Sequence, residues 1–170
     1  MRWYLTVWLS AALGASCSPA VAPTTSSGAL VERATAAPAA DIAAVRAVVQ
    51  RLFDGMRARD TVMMSSVFHP EARFYGHNRA GEIQLTTPSS FLQGIGRAPA
   101  GVLLDEVIQD VEVRIDGKLA TVWTYYDFFA GDRFSHCGYD AFLLLKAGAE
   151  WKIVALADSR RTEGCRQKRS

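Results

Sequence analysis

Three polar side chains in the C-terminal half, Tyr126, His136 and Asp140, are of the types that move a proton and steady a negative charge. A carboxylate in an apolar cavity is costly unless paired, and its pKa rises. Such a group, or a neighbouring imidazole, works as a general base. A tyrosine hydroxyl can donate to a developing oxyanion. If the three converge, cofactor-independent isomerisation, dehydration or cyclisation of a small apolar substrate is open to them. The same residues fit two other arrangements. They could form a structural network, since buried polar groups must be satisfied whether or not they catalyse. They could also be the polar end of a pocket that binds a small, partly apolar molecule.

Convergence depends on strand parity, because successive residues of a strand alternate faces. Val111, Val113 and Ile115 alternate with Glu112 and Arg114. Asp116-Gly117 then reads as a two-residue hairpin turn pairing Val113 with Ala120 and Val111 with Val122. The next strand therefore buries Ala120, Val122, Thr124, Tyr126 and Phe128. In the strand from Phe134 to Leu145, His136, Asp140, Phe142 and Leu144 share one face. A three-residue loop, Ala130 to Asp132, places Tyr126 opposite His136 and Val122 opposite Asp140, on the buried side. A two-residue loop would reverse the face and set His136 beside Asp127, since a one-residue slip flips every side chain. The apolar character of Phe134, Phe142 and Leu144 favours the longer loop. Tyr126, His136 and Asp140, with Phe128, Phe142 and Tyr75, are then the candidate pocket lining.

Other polar residues read as structural. Asp60 suits a helix cap, Asp54 faces solvent or the pocket mouth, and His69 and His77 adjoin a helix end and a turn. No spacing requires His69, His77 and His136 to converge on a metal, and no metal or cofactor is expected. Neither a phosphate-cradling glycine loop nor a Gly-x-Ser-x-Gly nucleophile elbow is present.

The elements that position these residues begin with a helix. Ile42, Val45, Val49, Leu52, Phe53 and Met56 recur at helical spacing, with Asp41 as cap and an end near Arg59. Asp60 caps a short helix, Thr61 to Val67, stopped by Pro70. A short strand, Arg73 to His77, and a turn, Asn78 to Gly81, follow. Thr87 and Pro88 open a third helix, Ser89 to Ile95. The last strand runs from Trp151 to Ala157. Helices first and an antiparallel meander after them predict an α+β domain.

The run Leu52-Phe53-Asp54-Gly55-Met56-Arg57-Ala58-Arg59-Asp60, with Phe68-His69-Pro70-Glu71-Ala72-Arg73-Phe74, resembles the start of a nuclear transport factor 2-like domain. Ser135-His136-Cys137-Gly138-Tyr139-Asp140-Ala141-Phe142, with Trp151-Lys152-Ile153-Val154, resembles the lumazine-binding, SnoaL-like branch of that superfamily. The resemblance covers roughly Asp41 to Cys165. It implies a curved sheet wrapped around helices, a cone with a pocket. The superfamily includes ketosteroid isomerase, scytalone dehydratase, polyketide cyclases and non-catalytic binding domains, so the fold alone does not select a chemistry. Its members frequently dimerise through their sheets. Trp123, Tyr125, Tyr139 and Leu143 on the outer face are accordingly candidates for a homodimer or another protein partner.

The N-terminus implies export. Met1-Arg2 and the uncharged stretch Trp3 to Ala15 are too short to span a membrane and match a secretory signal segment over residues 1–22. Gly14-Ala15-Ser16-Cys17 resembles a lipobox, with its leucine displaced to Leu13; Cys17 would then be lipidated, giving a periplasmic or outer-membrane lipoprotein. Ala20-Val21-Ala22 is the competing cleavage site and would release a secreted protein. Residues 23–40, rich in Ala, Pro, Ser and Thr, read as a tether. Cys137 and Cys165 remain as a pair, and an oxidising compartment favours their disulfide. Closing roughly 28 residues adds about 3–4 kcal/mol in the chain-entropy view. The net charge of +2 argues against nucleic-acid binding. The basic cluster Arg160, Arg161, Arg166, Lys168 and Arg169 reads as a solvated tail, its end over residues 166–170, which the disulfide would pin back onto the sheet.

Overall fold

The computed structural model describes residues 37–78 and 80–169. The export segment, Cys17 and the tether up to residue 36 lie outside the described residues. Helix α1 (Ala39–Ala58) buries Val45, Val49, Leu52, Phe53 and Met56, the expected apolar stripe. It begins before Asp41, with Pro38 at the cap position. Asp41 is not the cap: its carboxylate accepts from Lys146 Nζ at 2.5 Å and Trp151 Nε1 at 3.2 Å, tying the first turn to the final hairpin. Helix α2 (Thr61–Ser66) is capped as expected, Asp60 accepting from Met63 N at 2.8 Å. Helix α3 (Pro88–Gly96) is capped by Thr87, with Pro88 in its first turn.

Six strands form one sheet: β1 (Phe68–His77), β2 (Ile83–Thr86), β3 (Leu104–Asp116), β4 (Leu119–Ala130), β5 (Arg133–Ala147) and β6 (Glu150–Asp158). Their order is β2-β1-β6-β5-β4-β3. The meander from β3 to β6 is antiparallel, as expected. Two features correct the sequence expectation. The β2 strand was not anticipated, and β1 pairs with β6 in parallel. Strand β1 also begins at Phe68 rather than Arg73; Pro70 sits within a register shift between those residues, where no ladder N–H is required. Helix α1 packs on the inner face, with Phe53 edge-on to Phe142 at 6.1 Å between ring centroids.

Both hairpin registers differ from expectation, yet the faces survive. The first turn is Gly117-Lys118, so Asp116 pairs with Leu119 and Val113 with Val122. Gly117 takes the left-handed φ of 55° that such a turn requires. The second turn is also two residues, Gly131-Asp132, with Ala130 paired to Arg133. A β-bulge then restores the face: Phe129 pairs with Phe134, but Phe128 pairs with His136, leaving Ser135 as the extra residue. Tyr126 lies opposite Gly138 rather than His136, and Thr124 rather than Val122 lies opposite Asp140.

The C-terminal segment is not a free tail. Arg161 bridges Cys137 in the backbone ladder, and Cys137 is bonded to Cys165, as the cysteine count predicted. Beyond it, Arg166 N donates to the Tyr125 hydroxyl at 2.9 Å and Lys168 N to Asp127 Oδ2 at 3.0 Å. The Arg166 guanidinium lies over Tyr125, 4.1 Å from the ring centroid, and that of Arg169 lies 4.5 Å from Phe129. The segment is therefore a strap across the outer face, and Tyr125 is buried beneath it. Trp123 and Leu143 stay exposed on that face, with Trp123 stacked on Tyr139.

Candidate functional site

Between the helices and the inner face lies a cavity of about 380 Å³. Its floor is apolar: Leu52, Phe53 and Met56 from α1, Phe91 and Ile95 from α3, and Phe128 from β4. Its other end carries Glu106, Tyr126, His136, Asp140, Asp158 and Arg160. The three residues singled out in the sequence thus line one cavity. Phe128 lines it too, and Tyr75 stands half exposed at its rim. Phe142 does not line it; that ring is spent in the core against Phe53. His77 also lines the cavity, whereas His69 lies elsewhere, its Nδ1 accepting from Glu71 N at 3.1 Å. Asp54 bonds Gln50 and Arg57 on the exposed side of α1.

Glu106, Asp158 and Arg160 were not anticipated, and β-bulges explain the first two. On β3, Gln109 pairs with Tyr125 but Glu112 pairs with Trp123, so Asp110 and Val111 together oppose Thr124. Asp110 has a left-handed φ of 53° at this point. The parity set by Val111 and Val113 reverses upstream, and Glu106 turns inward beside Ile108 and Leu104. On β6, Leu144 pairs with Ile153 but Leu143 with Ala155, leaving Val154 as the extra residue. The inner face passes from Ile153 to Leu156 and Asp158. Asp158 becomes the direct cross-strand partner of Asp140. Gly76 makes room for it: a Cβ there would stand 2.7 Å from Asp158 Oδ1.

Asp140 is 2% exposed, and among the described residues its Oδ2 meets no N–H or O–H donor. Its carboxyl neighbours that of Glu106, and two buried acids so placed favour sharing a proton over ionising together. Burial pushes Asp140 well above the ordinary carboxylate range, and the Glu106 and Asp158 charges push it further. Burial raises Glu106 to about 7. Burial also raises Asp158, against the pull of Arg160 and His77. His136 is lowered to about 4 by burial and by Arg160, so it is neutral at pH 7. Its Nδ1 lies 3.0 Å from Ser135 Oγ, the bulged residue, and its ring packs on Phe128 and Tyr126.

Tyr126 is occupied differently from the expected oxyanion donor. Its hydroxyl donates to the Ser159 carbonyl at 2.9 Å, and burial raises its pKa. Gly138 beneath it is required by close approach: a Cβ there would overlap the Ser159 carbonyl oxygen and stand 2.8 Å from Tyr126 Cε1. The Ser159 stretch thereby presents Arg160 to the cavity. Among the described residues, no group of three or more His, Cys, Asp or Glu is disposed to hold a metal ion.

The fold has close counterparts among solved structures. A nuclear transport factor 2-like protein of unknown function from Silicibacter pomeroyi superposes with a TM-score of 0.59 at 24% identity, over 72% of this chain and 97% of that one. A protein of unknown function with a cystatin-like fold from Nostoc punctiforme gives 0.61 at 12% identity, over 74% and 95%. A protein described as a putative dehydratase of the same fold family, from Streptomyces avermitilis, gives 0.58 at 14% identity, over 72% and 96%. At these identities the likeness is one of fold. No curated protein matches the chain. The model of the family described as "Putative lumazine-binding" matches residues 40–157, nearly the whole described domain, and the chain belongs to that family within the nuclear transport factor 2-like fold.

Proposed function

We propose that this chain is an exported, lipid-anchored domain that binds a small, partly apolar molecule in its cavity. One observation carries the reading: Asp140, a buried carboxyl with an oxygen that no N–H or hydroxyl of the described residues satisfies, lines a cavity whose other walls are largely apolar. An unmet buried acceptor costs about 1–3 kcal/mol, a penalty that a ligand donor removes. A volume of about 380 Å³ lies within the range of small-molecule sites. Membership of a family described as lumazine-binding favours a small organic ligand. For export, the support is the signal-like segment, the lipobox-like Cys17 and a disulfide suited to an oxidising compartment.

Native mass spectrometry of the full chain recovered from its own cell envelope tests the pocket. A small-molecule adduct present on the wild type and lost in Asp140→Asn is the expected result. An adduct retained undiminished in the variant, or none on either protein, overturns the reading.

A second reading, acid–base catalysis of the dehydratase or isomerase kind, is favoured by two neighbouring carboxyls, Glu106 and Asp140, that burial raises above the ordinary carboxylate range at the cavity wall. A base raised to about 7 is matched to proton transfer near neutrality. The base in that case is Glu106 or Asp140 rather than the neutral His136. Loss of turnover in Glu106→Gln with ligand affinity retained is what this reading requires.

A further inference from the structure

We propose that the polar end of the cavity is an ammonium-recognition site, and that the ligand is a small apolar amine whose protonated nitrogen seats against Asp140, Glu106 and Asp158. The inference rests on the pocket reading above and names its ligand class. The charged and titratable groups facing Asp140 are few: His77 on β1, Glu106 on β3, Tyr126 on β4, His136 on β5, Asp158 at the end of β6 and Arg160 after it. With Asp140 itself they make three carboxyls against one guanidinium. Tyr126 has its proton committed to Ser159, so it donates nothing to the carboxyls. The helices contribute only apolar walls at this point, so no lysine or arginine from α1 or α3 offsets the acids.

Asp140 and Asp158 are direct register partners on one face, the arrangement that like charges ordinarily avoid. Natural cores do not gather three carboxyls around one cation for stability, because each buried charge must be neutralised or paired. In the free protein the proton between Glu106 and Asp140 does this. A ligand ammonium, with three donors and a positive charge, would do so better: seated where these carboxyls line the cavity, it offsets their charge and lets the pair ionise. A carboxylate or phosphate ligand would add charge of the sign already in excess. The cavity holds roughly a dozen non-hydrogen atoms if each needs about 30 Å³, the share of a liquid water. The apolar floor of Phe53, Phe91 and Phe128 suits a ring at the other end.

Isothermal titration of the full-length protein with 2-phenylethylamine, 2-phenylethanol and 3-phenylpropionate at pH 6 separates the alternatives. The expected order is amine first, by at least about tenfold, with the carboxylate weakest. Binding of the amine should release protons, seen as an enthalpy that changes with the ionisation heat of the buffer. Asp140→Asn and, separately, Asp158→Asn should bring the amine down to the affinity of the alcohol. Two variants guard against one failing to fold. If the alcohol or the carboxylate binds as well as the amine, the ammonium assignment is wrong and the pocket reading stands. If none of the three binds to a folded protein, both are wrong.

Discussion

Asp140 on β5 and Asp158 on β6 are cross-strand partners on the inner face, two carboxyls side by side at the end of an apolar cavity. Burial, with Glu106 as a further acid beside Asp140, makes the native state favour protonated acids. Between about pH 4.5 and 7 the folded protein retains protons on these acids that the unfolded chain has released. Stability therefore falls as pH rises through this window. His136, lowered to about 4, has the opposite sign: its contribution grows from about pH 4 to 6.5. The three acids outweigh the one imidazole. A Glu106→Gln variant, freed of the acid penalty, should match the wild type at pH 4.5 and exceed it by on the order of 2 kcal/mol above pH 7. Urea unfolding at the two pH values checks it; a gain independent of pH would mean that folding does not raise the pKa of Glu106.

Gly138 should be irreplaceable. A Cβ there overlaps the Ser159 carbonyl, to which Tyr126 donates. Gly138→Ala forces the strap away from β5 and takes Arg160 with it. The expected cost is about 3 kcal/mol, at the upper end for overpacking. Calorimetry should show it, together with weakened ligand binding. A melting temperature within a degree of wild type would mean that the strap does not cross β5 at this point.

The disulfide holds the same strap farther along. Reduction, or the double change Cys137→Ser with Cys165→Ser, should lower stability by about 3 kcal/mol through the 28-residue loop it closes. Hydrogen exchange at Arg166 N and Lys168 N, both bonded to the sheet, should rise as well. Unchanged protection at these amides would show that the cation–π contacts alone retain the strap.

How much of this was legible in the sequence turns on the bulges. Alternation in Val111-Glu112-Val113-Arg114-Ile115 and the helical stripe from Val45 to Met56 identified the layers and the buried faces. Tyr126, His136 and Asp140 were assigned to the inner face, but through a loop of the wrong length that the Ser135 bulge happened to compensate. No such compensation helped at Glu106 and Asp158. Extrapolating parity back from Val111 puts Glu106 outside, and extrapolating forward from Ile153 puts Asp158 outside. The bulges at Asp110-Val111 and Val154 reverse both. The Val154-Ala155-Leu156 run, apolar on both faces, was a faint signal of the second. The first had no signal beyond a polar residue, Asp110, in the left-handed region. The disulfide implied that the tail is pinned to the sheet, as it is; its arginines were read as solvated because arginines that lie on aromatic faces have the same composition as arginines in water.

Export is tested apart from the fold. Cys17→Ser should move the protein from the membrane pellet to the soluble fraction of the envelope, as seen by immunoblot after sedimentation. A wild-type protein already soluble would favour cleavage after Ala22 instead.

Two buried aspartates on opposite faces of the sheet should respond to the same substitution with opposite signs. Asp127, fully buried on the outer face, accepts from the Tyr125 hydroxyl at 2.9 Å, Gln109 Nε2 at 3.1 Å and Lys168 N at 3.0 Å. Its carboxylate is satisfied from three directions. Asp127→Asn replaces one accepting oxygen with an NH₂ group facing donors, and should destabilise by about 2–3 kcal/mol. Asp140, equally buried, has an oxygen with no donor and two acids beside it. Asp140→Asn supplies a donor and removes the cost of keeping a buried acid protonated, and should stabilise the free protein by about 1 kcal/mol while weakening the ligand. A group that opposes folding yet is kept in place is what a binding site requires. Chemical denaturation of both variants at pH 7.5 decides it. If both lose stability, Asp140 is a structural residue with a partner of its own.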